Sequence, residues 1–383
     1  MNKYISLLIF LFAINLQLKG QDAKFDSIVV NGIRQIYSIE FEQADKTFNQ
    51  LIANYPKHPA GKFFLAMLDW WRILLDTSTE ERDELFFKKI EEVIEHCDKI
   101  LDENPENIDA MFFKGGAIGF RGRLSAMRES WLSAVDDGRE ALPLVEEAGE
   151  LEPDNIDVKL GFGIYNYYAA VIPEQFPIVK PLMIFLPSGD KELGLNQLKD
   201  VAQHGKYTKY EARYFLMTLY YRLEKNYDAS EEYSKVLNKD FPNNPVFERW
   251  GGRIAMKKGD VNLADSVFKS VLLKGKKMIP GYNTLSVKRE ANYYIGYNYR
   301  KNNEYDSAYA YLEKCMTYSL ELDRDRESGF LINATLYIAM IKEMREEYPA
   351  AKMYYEKVLG MREYGNSHSL AESYLERIEK QGK

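Results

Sequence analysis

Apolar residues recur along the chain with the three- and four-residue spacing of amphipathic helices, and no stretch shows the alternation typical of strands. The helices are predicted to form antiparallel pairs. In the second helix of each pair a small residue is followed by a larger one four positions later and by an apolar one three positions after that. The small positions are Ala44, Val93, Ala141, Gly194, Ala229, Ala264, Ala308 and Ala351. Eight helical hairpins are therefore predicted.

One such hairpin, residues 208–240, resembles a tetratricopeptide repeat. Its large and small residues fall where that repeat places its packing positions, and Ala264 follows Ala229 by 35 residues, close to the 34-residue period. The matching residues are Leu216, Tyr220, Ala229, Tyr233 and Val236. A single hairpin cannot bury its apolar face alone, so stability comes from stacking neighbours. We therefore predict an all-α fold, an α-solenoid forming a right-handed superhelix of about eight hairpins without a sheet.

The repeats divide the chain by their regularity. They are irregular over 21–206 and more regular over 207–366, and 367–380 is predicted to be a capping helix with a polar outer face. An apolar insertion at 172–189 contains four prolines, which forbid a long regular helix. It is predicted to pack over one end of the groove or to present a short apolar contact surface, and the alternative is a buried plug between repeats.

A more specific resemblance covers roughly residues 110–260. The Tyr-Asn-Tyr at 165–167, the proline-containing apolar linker and Gly-Asp-Lys-Glu-x-Gly-Leu-x-x-Leu at 189–198 are similar to the central block of the tetratricopeptide repeat protein 39 family. The Gly-Phe-Arg-Gly-Arg-Leu at 119–124 is similar to a sequence in bacterial secreted repeat proteins. The family has no established catalytic residues, so the resemblance implies a fold and a binding mode rather than a reaction.

The first twenty residues have the pattern of a signal peptide. Lys3 precedes the 14-residue apolar stretch 5–18, which is too short to cross a bilayer core of about 30 Å as a helix. Gly20 is a suitable residue before the cleavage site, and no cysteine lies nearby for lipid attachment. We therefore expect an exported protein that is not a lipoprotein, in the periplasm or outside the cell. An uncleaved anchor is the alternative.

The charge of the chain narrows the range of partners, and the positions of its cysteines indicate whether a disulfide forms. The chain has 51 basic and 58 acidic residues, a net charge of −7, and loss of Lys3 and Lys19 with the leader makes it −9. This balance argues against nucleic acid as a partner. Cys97 and Cys315 lie far apart on apolar helical positions, so two buried free thiols are predicted rather than a disulfide.

No pattern in the sequence points to catalysis, a cofactor or a metal. The histidines lack the i, i+4 spacing of a helical zinc site, and neither a nucleophile elbow nor a phosphate-binding loop is present. Gly116, Gly119 and Gly122 recur every third residue, but no strand is predicted before them, so they are interpreted as a close helix contact. The four histidines are His58, His96, His204 and His368. We predict a protein that is not an enzyme.

Surface recognition is the remaining function. In such arrays the first helix of each hairpin lines the concave face, and aromatic and arginine residues there are candidates for binding a peptide or protein. The candidates are Phe120, Arg121, Tyr165, Asn166, Tyr214, Tyr221, Arg249, Arg253, Tyr293, Tyr297 and Arg300. The arginines would suit an acidic or C-terminal segment, unless Glu248 or Glu290 pairs with them. The alternative function is a carrier or sensor of an apolar or glycan ligand.

Overall fold

The computed structural model describes residues 23–175, 180–181, 187–324 and 326–380. These residues form helices and turns and contain no strand, which confirms the all-α prediction. The predicted signal peptide, half of the insertion at 172–189 (176–179 and 182–186) and the last three residues lie outside the described residues.

The described residues form seventeen helices in chain order, the number expected of the predicted eight hairpins and a capping helix. They are α1 (23–37), α2 (Phe41–Asn54), α3 (Ala60–Leu75), α4 (Asp83–Glu103), α5 (Ile108–Met127), α6 (Trp131–Leu151), α7 (Lys159–Gln175), α8 (Lys191–His204), α9 (Lys209–Leu219), α10 (Tyr227–Asp240), α11 (Pro245–Lys258), α12 (Val261–Lys276), α13 (Leu285–Lys301), α14 (Tyr305–Leu322), α15 (Gly329–Met344), α16 (Tyr348–Leu359) and α17 (Ser367–Lys380). A 3₁₀ turn, Ile156–Val158, precedes α7, and a π-helical turn, Tyr220–Glu224, extends α9.

Short polar side chains begin many of these helices. Each accepts a hydrogen bond from a backbone N–H of the first turn, as the side chain of Asp260 does from Leu263 at 3.0 Å. Such a cap contributes about 1 kcal/mol to helix stability. The capping residues are Asn107, Asp190, Asn226, Asn244, Asp260, Thr284 and Ser328.

The turns inside the pairs share a backbone conformation. In six pairs the turn contains a residue with positive φ, the left-handed region that favours glycine. These residues are Ile39, Glu129, Lys225, Gly259, Asn303 and Glu346. Because only Gly259 is a glycine, the usual sequence signal for such a turn is missing at most of them.

Small residues bring paired helices together, as the sequence pattern predicts. A Cβ atom at Gly252 of α11 would lie 2.7 Å from the ring of Phe268 in α12, and one at Gly296 of α13 would lie 2.8 Å from Cγ of Leu312 in α14. Phe268 and Leu312 are fully buried. The large residue of the second helix therefore occupies the space that the small residue leaves open.

The predicted register was wrong in α10. Val236 is 40% exposed, whereas Ser230, Ser234 and Leu237, each shifted by one position, are buried. The reason is that the small packing residues of this helix are serines, whose hydroxyl groups hide them from a search for apolar residues. Asn238 completes the contact with α11, since its side-chain amide donates to the backbone oxygen of Phe247 at 3.1 Å.

The chain divides into two compact units. Unit 1 contains residues up to Leu74 and Glu80–Glu224, and unit 2 contains Leu75–Thr79 and Lys225–Lys383. Apart from the short segment Leu75–Thr79, the chain passes from unit 1 to unit 2 once, between α9 and α10. The predicted change from irregular to regular repeats at residue 207 stays a prediction.

In unit 1 the first helices of the pairs contact one another across a long sequence separation. Tyr37 of α1 donates to Glu211 of α9 at 2.9 Å, and Arg34 donates to the hydroxyl of Tyr210 at 2.9 Å. The ring of Tyr37 also lies 4.7 Å from that of Trp71 in α3. The space between α1, α3 and α9 in unit 1 is therefore filled by aromatic side chains of these helices.

In unit 2 successive first helices are also neighbours, since α13 contacts α15 and α15 contacts α17. The core between the pairs consists of residues such as Ile295, Leu312 and Ile338. Cys315 belongs to this core, and Cys97 is buried in unit 1. Both thiols are free, which confirms the prediction.

Candidate functional site

Two of the predicted binding residues of unit 1 pack against its own aromatic residues, Phe120 half-buried and Tyr214 buried. The ring of Phe120 lies 5.4 Å from that of Trp70, and Tyr214 is 6% exposed and lies 5.9 Å from Trp71. The guanidinium of Arg123 lies over the same aromatic group, 4.8 Å from the ring of Trp70. Phe120 and Tyr214 therefore pack within unit 1, because the first helices meet there.

Arg121 is the most heavily paired of the predicted residues. Its guanidinium bonds Glu91 at 2.6 Å, Asp137 at 2.7 Å and Glu140 at 2.8 Å. These carboxylates belong to α4 and α6, the second helices of their pairs. Arg121 therefore links helices, and its charge is more than balanced within the protein.

The other predicted residues of unit 1 are partly buried. Tyr165 donates to the backbone oxygen of Pro187 at 2.6 Å, which connects α7 to the chain after the insertion. Asn166 donates to Gln197 of α8 at 3.0 Å. Tyr221 lies in the π-helical turn after α9. These contacts do not bring the three side chains together with Phe120 or Arg121.

In unit 2, Arg249 and Arg253 of α11 share one carboxylate, that of Glu290 in α13. Arg253 binds both oxygens of Glu290, with Nη2 at 2.7 Å, and Nη1 of Arg249 lies 3.5 Å away. Glu290 is only 2% exposed. Burial by itself would raise the pKa of Glu290, but the two arginines outweigh it and hold that pKa below its ordinary value. The pairing that the sequence left open is thus present, and it is buried rather than at the surface.

The remaining predicted residues meet in a cluster on α13 and α15. We call this the Arg300 patch, and it consists of Tyr293, Tyr297, Arg300 and Tyr337. The guanidinium of Arg300 lies 4.4 Å from the ring centre of Tyr337 and 5.8 Å from that of Tyr297. The rings of Tyr293 and Tyr337 are stacked, with their centres 6.1 Å apart. All four side chains are partly exposed.

Arg300 carries the charge of this patch. Burial raises the pKa of Tyr293 and of Tyr337, so both phenols are neutral at ordinary pH. No carboxylate of the described residues lies within ion-pair distance of Arg300, and its Nη1 contacts the sulfur of Met340 at 3.7 Å. Arg289 of the same helix, by contrast, binds Asp323 at 2.9 Å.

The arrangement of the Arg300 patch suits recognition of an anion. A guanidinium can bind a carboxylate through two parallel hydrogen bonds, and tyrosine rings can stack beside the bound group. Tyr337 of α15 is not among the predicted binding residues, the last of which is Arg300 of α13, although it too is an aromatic residue of a first helix. Extending the comparison of first helices to α15 would have included it.

The repeated helical pairs, with small residues of one helix against large residues of the next, define an all-helical repeat protein. A family model for the tetratricopeptide repeat matches residues 37–58 and 290–318. This match and the helical pairs support tetratricopeptide-like repeats in the chain, and proteins built from such repeats are generally interaction scaffolds. The finer resemblance to the tetratricopeptide repeat protein 39 family stays a prediction.

Several solved structures resemble this chain at low identity. PilF of Pseudomonas aeruginosa is 13% identical, with 68% of this chain and 97% of that chain covered and a TM-score of 0.44. PilW, a type IV pilus biogenesis factor, is 14% identical over 68% and 98%, with a TM-score of 0.42. A tetratricopeptide repeat protein from Parabacteroides merdae is 15% identical over 79% and 97%, with a TM-score of 0.39. At this level the likeness does not bear on function.

Two further comparisons are negative. No curated protein matches the sequence. Within the described part of the chain, no helix has the length and apolar character needed to span a membrane.

Proposed function

We propose that this protein is an exported interaction scaffold that binds an acidic segment of a partner protein at the Arg300 patch. The observation that carries the proposal is that Arg300 lies on tyrosine rings with no carboxylate of the described residues as a partner. The neighbouring arginines Arg249, Arg253 and Arg289 are each held by a carboxylate of the protein. An incoming carboxylate would therefore find its counter-charge at Arg300.

The other parts of the patch support a protein ligand. Tyrosine and arginine are the residue types at which binding energy concentrates in interfaces, and a partner can cover the tyrosine rings while its carboxylate binds the guanidinium. The proposal of export depends on the signal-peptide pattern of residues 1–20. A partner in the periplasm or outside the cell follows from it, and so does a place for peripheral association with the envelope.

The experiment compares immobilised wild-type protein with Arg300→Gln. Proteins retained from an envelope extract are measured by quantitative mass spectrometry, at low and at high salt. We expect at least one partner to bind the wild type and to be reduced about tenfold on Arg300→Gln, the effect of losing a hydrogen-bonded charge contact. The same partner should be released by salt, because surface charge interactions are screened.

The matched control is Lys357→Gln, which removes one exposed positive charge from α16 in the same unit. It should retain the partner like the wild type. A synthetic acidic segment of that partner should compete for binding, and its Asn/Gln counterpart should not. The proposal is wrong if a folded Arg300→Gln protein retains the same proteins in the same amounts as the wild type.

A further inference from the structure

A second cluster of basic residues lies in unit 1, around a buried carboxylate. Asp69 of α3 is completely buried. Its Oδ1 accepts from Arg72 at 3.0 Å and from Arg82 at 3.2 Å, and its Oδ2 accepts from Lys89 of α4 at 2.6 Å. One carboxylate thus holds three cations in one place.

The three cations reach the surface although their counter-ion does not. The side chains of Arg72, Arg82 and Lys89 are 28%, 47% and 27% exposed, while that of Asp69 is 0% exposed. The guanidinium of Arg72 is further oriented by the ring of Phe41, 5.2 Å away. The cluster therefore exposes guanidinium and ammonium donors to solvent, and the buried Asp69 carboxylate holds them in position.

The charges of the cluster do not balance. Three positive groups surround one negative group, which leaves an excess of two positive charges. Among the described residues, none of the three cations makes an ion pair other than that with Asp69. Glu80, Glu81 and Glu84 flank Arg82 in the sequence, but none of them lies within ion-pair distance of the cluster.

A stable fold does not require this excess. One arginine can bind both oxygens of a carboxylate, and cations brought together repel one another. Arg72 and Arg82 donate to Asp69 through Nη1, and each also carries an Nη2 group to which no residue in the described part of the chain is an acceptor. Guanidinium groups so placed match the oxygens of a tetrahedral dianion.

We propose that Arg72, Arg82 and Lys89 form a binding site for a doubly charged oxyanion of the phosphate type. The bound dianion would balance the excess charge and accept hydrogen bonds from both guanidinium groups. The site lies in unit 1 and is independent of the Arg300 patch. The same chemistry is offered by free phosphate and by the monoester headgroup of phosphatidic acid, so the experiment has an arm for each.

The first arm measures binding of inorganic phosphate by calorimetry at low ionic strength, with chloride as the monovalent comparison. The variant is Arg82→Gln, because Arg82 is the most exposed of the three and Arg72 and Lys89 remain to pair with Asp69. We expect phosphate to bind the wild type and to bind Arg82→Gln at least about tenfold more weakly. The control, Lys88→Gln, removes the neighbouring exposed charge of α4 and should bind like the wild type.

The second arm measures sedimentation with phosphatidylcholine vesicles that contain or lack phosphatidic acid. Binding only to vesicles with phosphatidic acid, lost in Arg82→Gln, would identify a lipid headgroup as the source, and binding of phosphate alone would identify the free ion. The proposal is overturned if phosphate and phosphatidic acid bind neither protein. It is also overturned if both bind the wild type and a folded Arg82→Gln protein equally, since the cations then serve only to neutralise Asp69.

Discussion

Glu290 shows how one buried carboxylate can pair with two arginines that were predicted to bind a ligand. It lies on α13 and binds Arg253 through both oxygens and Arg249 through one. The arginines were predicted to face a ligand, and the glutamate of the next hairpin takes that place. Arg300 lies three turns further along α13, where it contacts tyrosine rings and where no described glutamate lies within ion-pair distance.

Glu290→Gln should destabilise unit 2. Removing one partner of a buried ion pair leaves uncompensated charge in the interior, which costs about 3–5 kcal/mol. We expect a loss of this size in the free energy of unfolding at pH 7, measured by urea denaturation followed by circular dichroism. Glu356→Gln, an exposed substitution on α16, should leave the free energy of unfolding unchanged within about 0.5 kcal/mol.

The destabilisation should depend on pH in a defined direction. The pKa of Glu290 is lowered in the folded state, so its contribution is present above the ordinary value of 4.5 and is lost as the pH falls through the lower folded value. The difference between the wild type and Glu290→Gln should therefore shrink below about pH 4.5. A difference that stayed constant from pH 7 to pH 3 would contradict the lowered pKa.

At the scale of one element, the glycines of α5 lie in different packing environments. A Cβ atom at Gly122 would lie 2.9 Å from Cβ of Asp137 in α6, whereas one at Gly119 would meet nothing within 4 Å. Gly116 lies against the ring of Phe63, at 3.4 Å for such an atom. The predicted close contact is therefore real at Gly122, and the spacing of three does not place all the glycines on one interface.

Alanine substitutions at Gly119 and Gly122 of α5 should change the free energy of unfolding in opposite directions. Gly119→Ala should raise the free energy of unfolding by about 0.5–1 kcal/mol, because alanine favours the helix and meets no atom. Gly122→Ala should lower it by about 1–3 kcal/mol, because the added methyl group overlaps α6. Urea denaturation of the two variants checks both values. Equal effects at the two positions would contradict the packing described for α5.

At the scale of the whole molecule, each unit contains one buried thiol. Cys97 lies in unit 1 and Cys315 in unit 2, and both are free and completely buried. Burial raises the pKa of each thiol to about 12. Since only the thiolate reacts, neither cysteine is expected to be reactive while its unit is folded.

A thiol assay tests this prediction on the intact protein. A chromogenic disulfide reagent at pH 8 should label no thiol in the native protein. In denaturant it should label two thiols per chain, whether or not the protein was first treated with a reductant that was then removed. Two thiols that appear in denaturant only after reduction would indicate a disulfide. Rapid labelling of the native protein would mean that one of the two sites is open to solvent.

The sequence by itself determined the local and repeating part of the architecture. Apolar spacing, small residues and helix caps act between residues close in the chain or in adjacent helices, so the eight helical pairs and the capping helix could be predicted from them. The buried free thiols followed from the same periodicity. The register of α10 was missed because Ser230 and Ser234 pack as small residues despite their hydroxyl groups.

Only the tertiary structure decided which predicted binding residues are available. Tyr214 is buried and Phe120 is half-buried because first helices of unit 1 that are distant in the sequence pack together, and such contacts have no signature in the sequence. Arg249 and Arg253 are occupied by a glutamate 37 residues beyond Arg253. Whether an arginine is paired depends on the carboxylates that packing brings within about 4 Å, and this separates Arg300 from its neighbours.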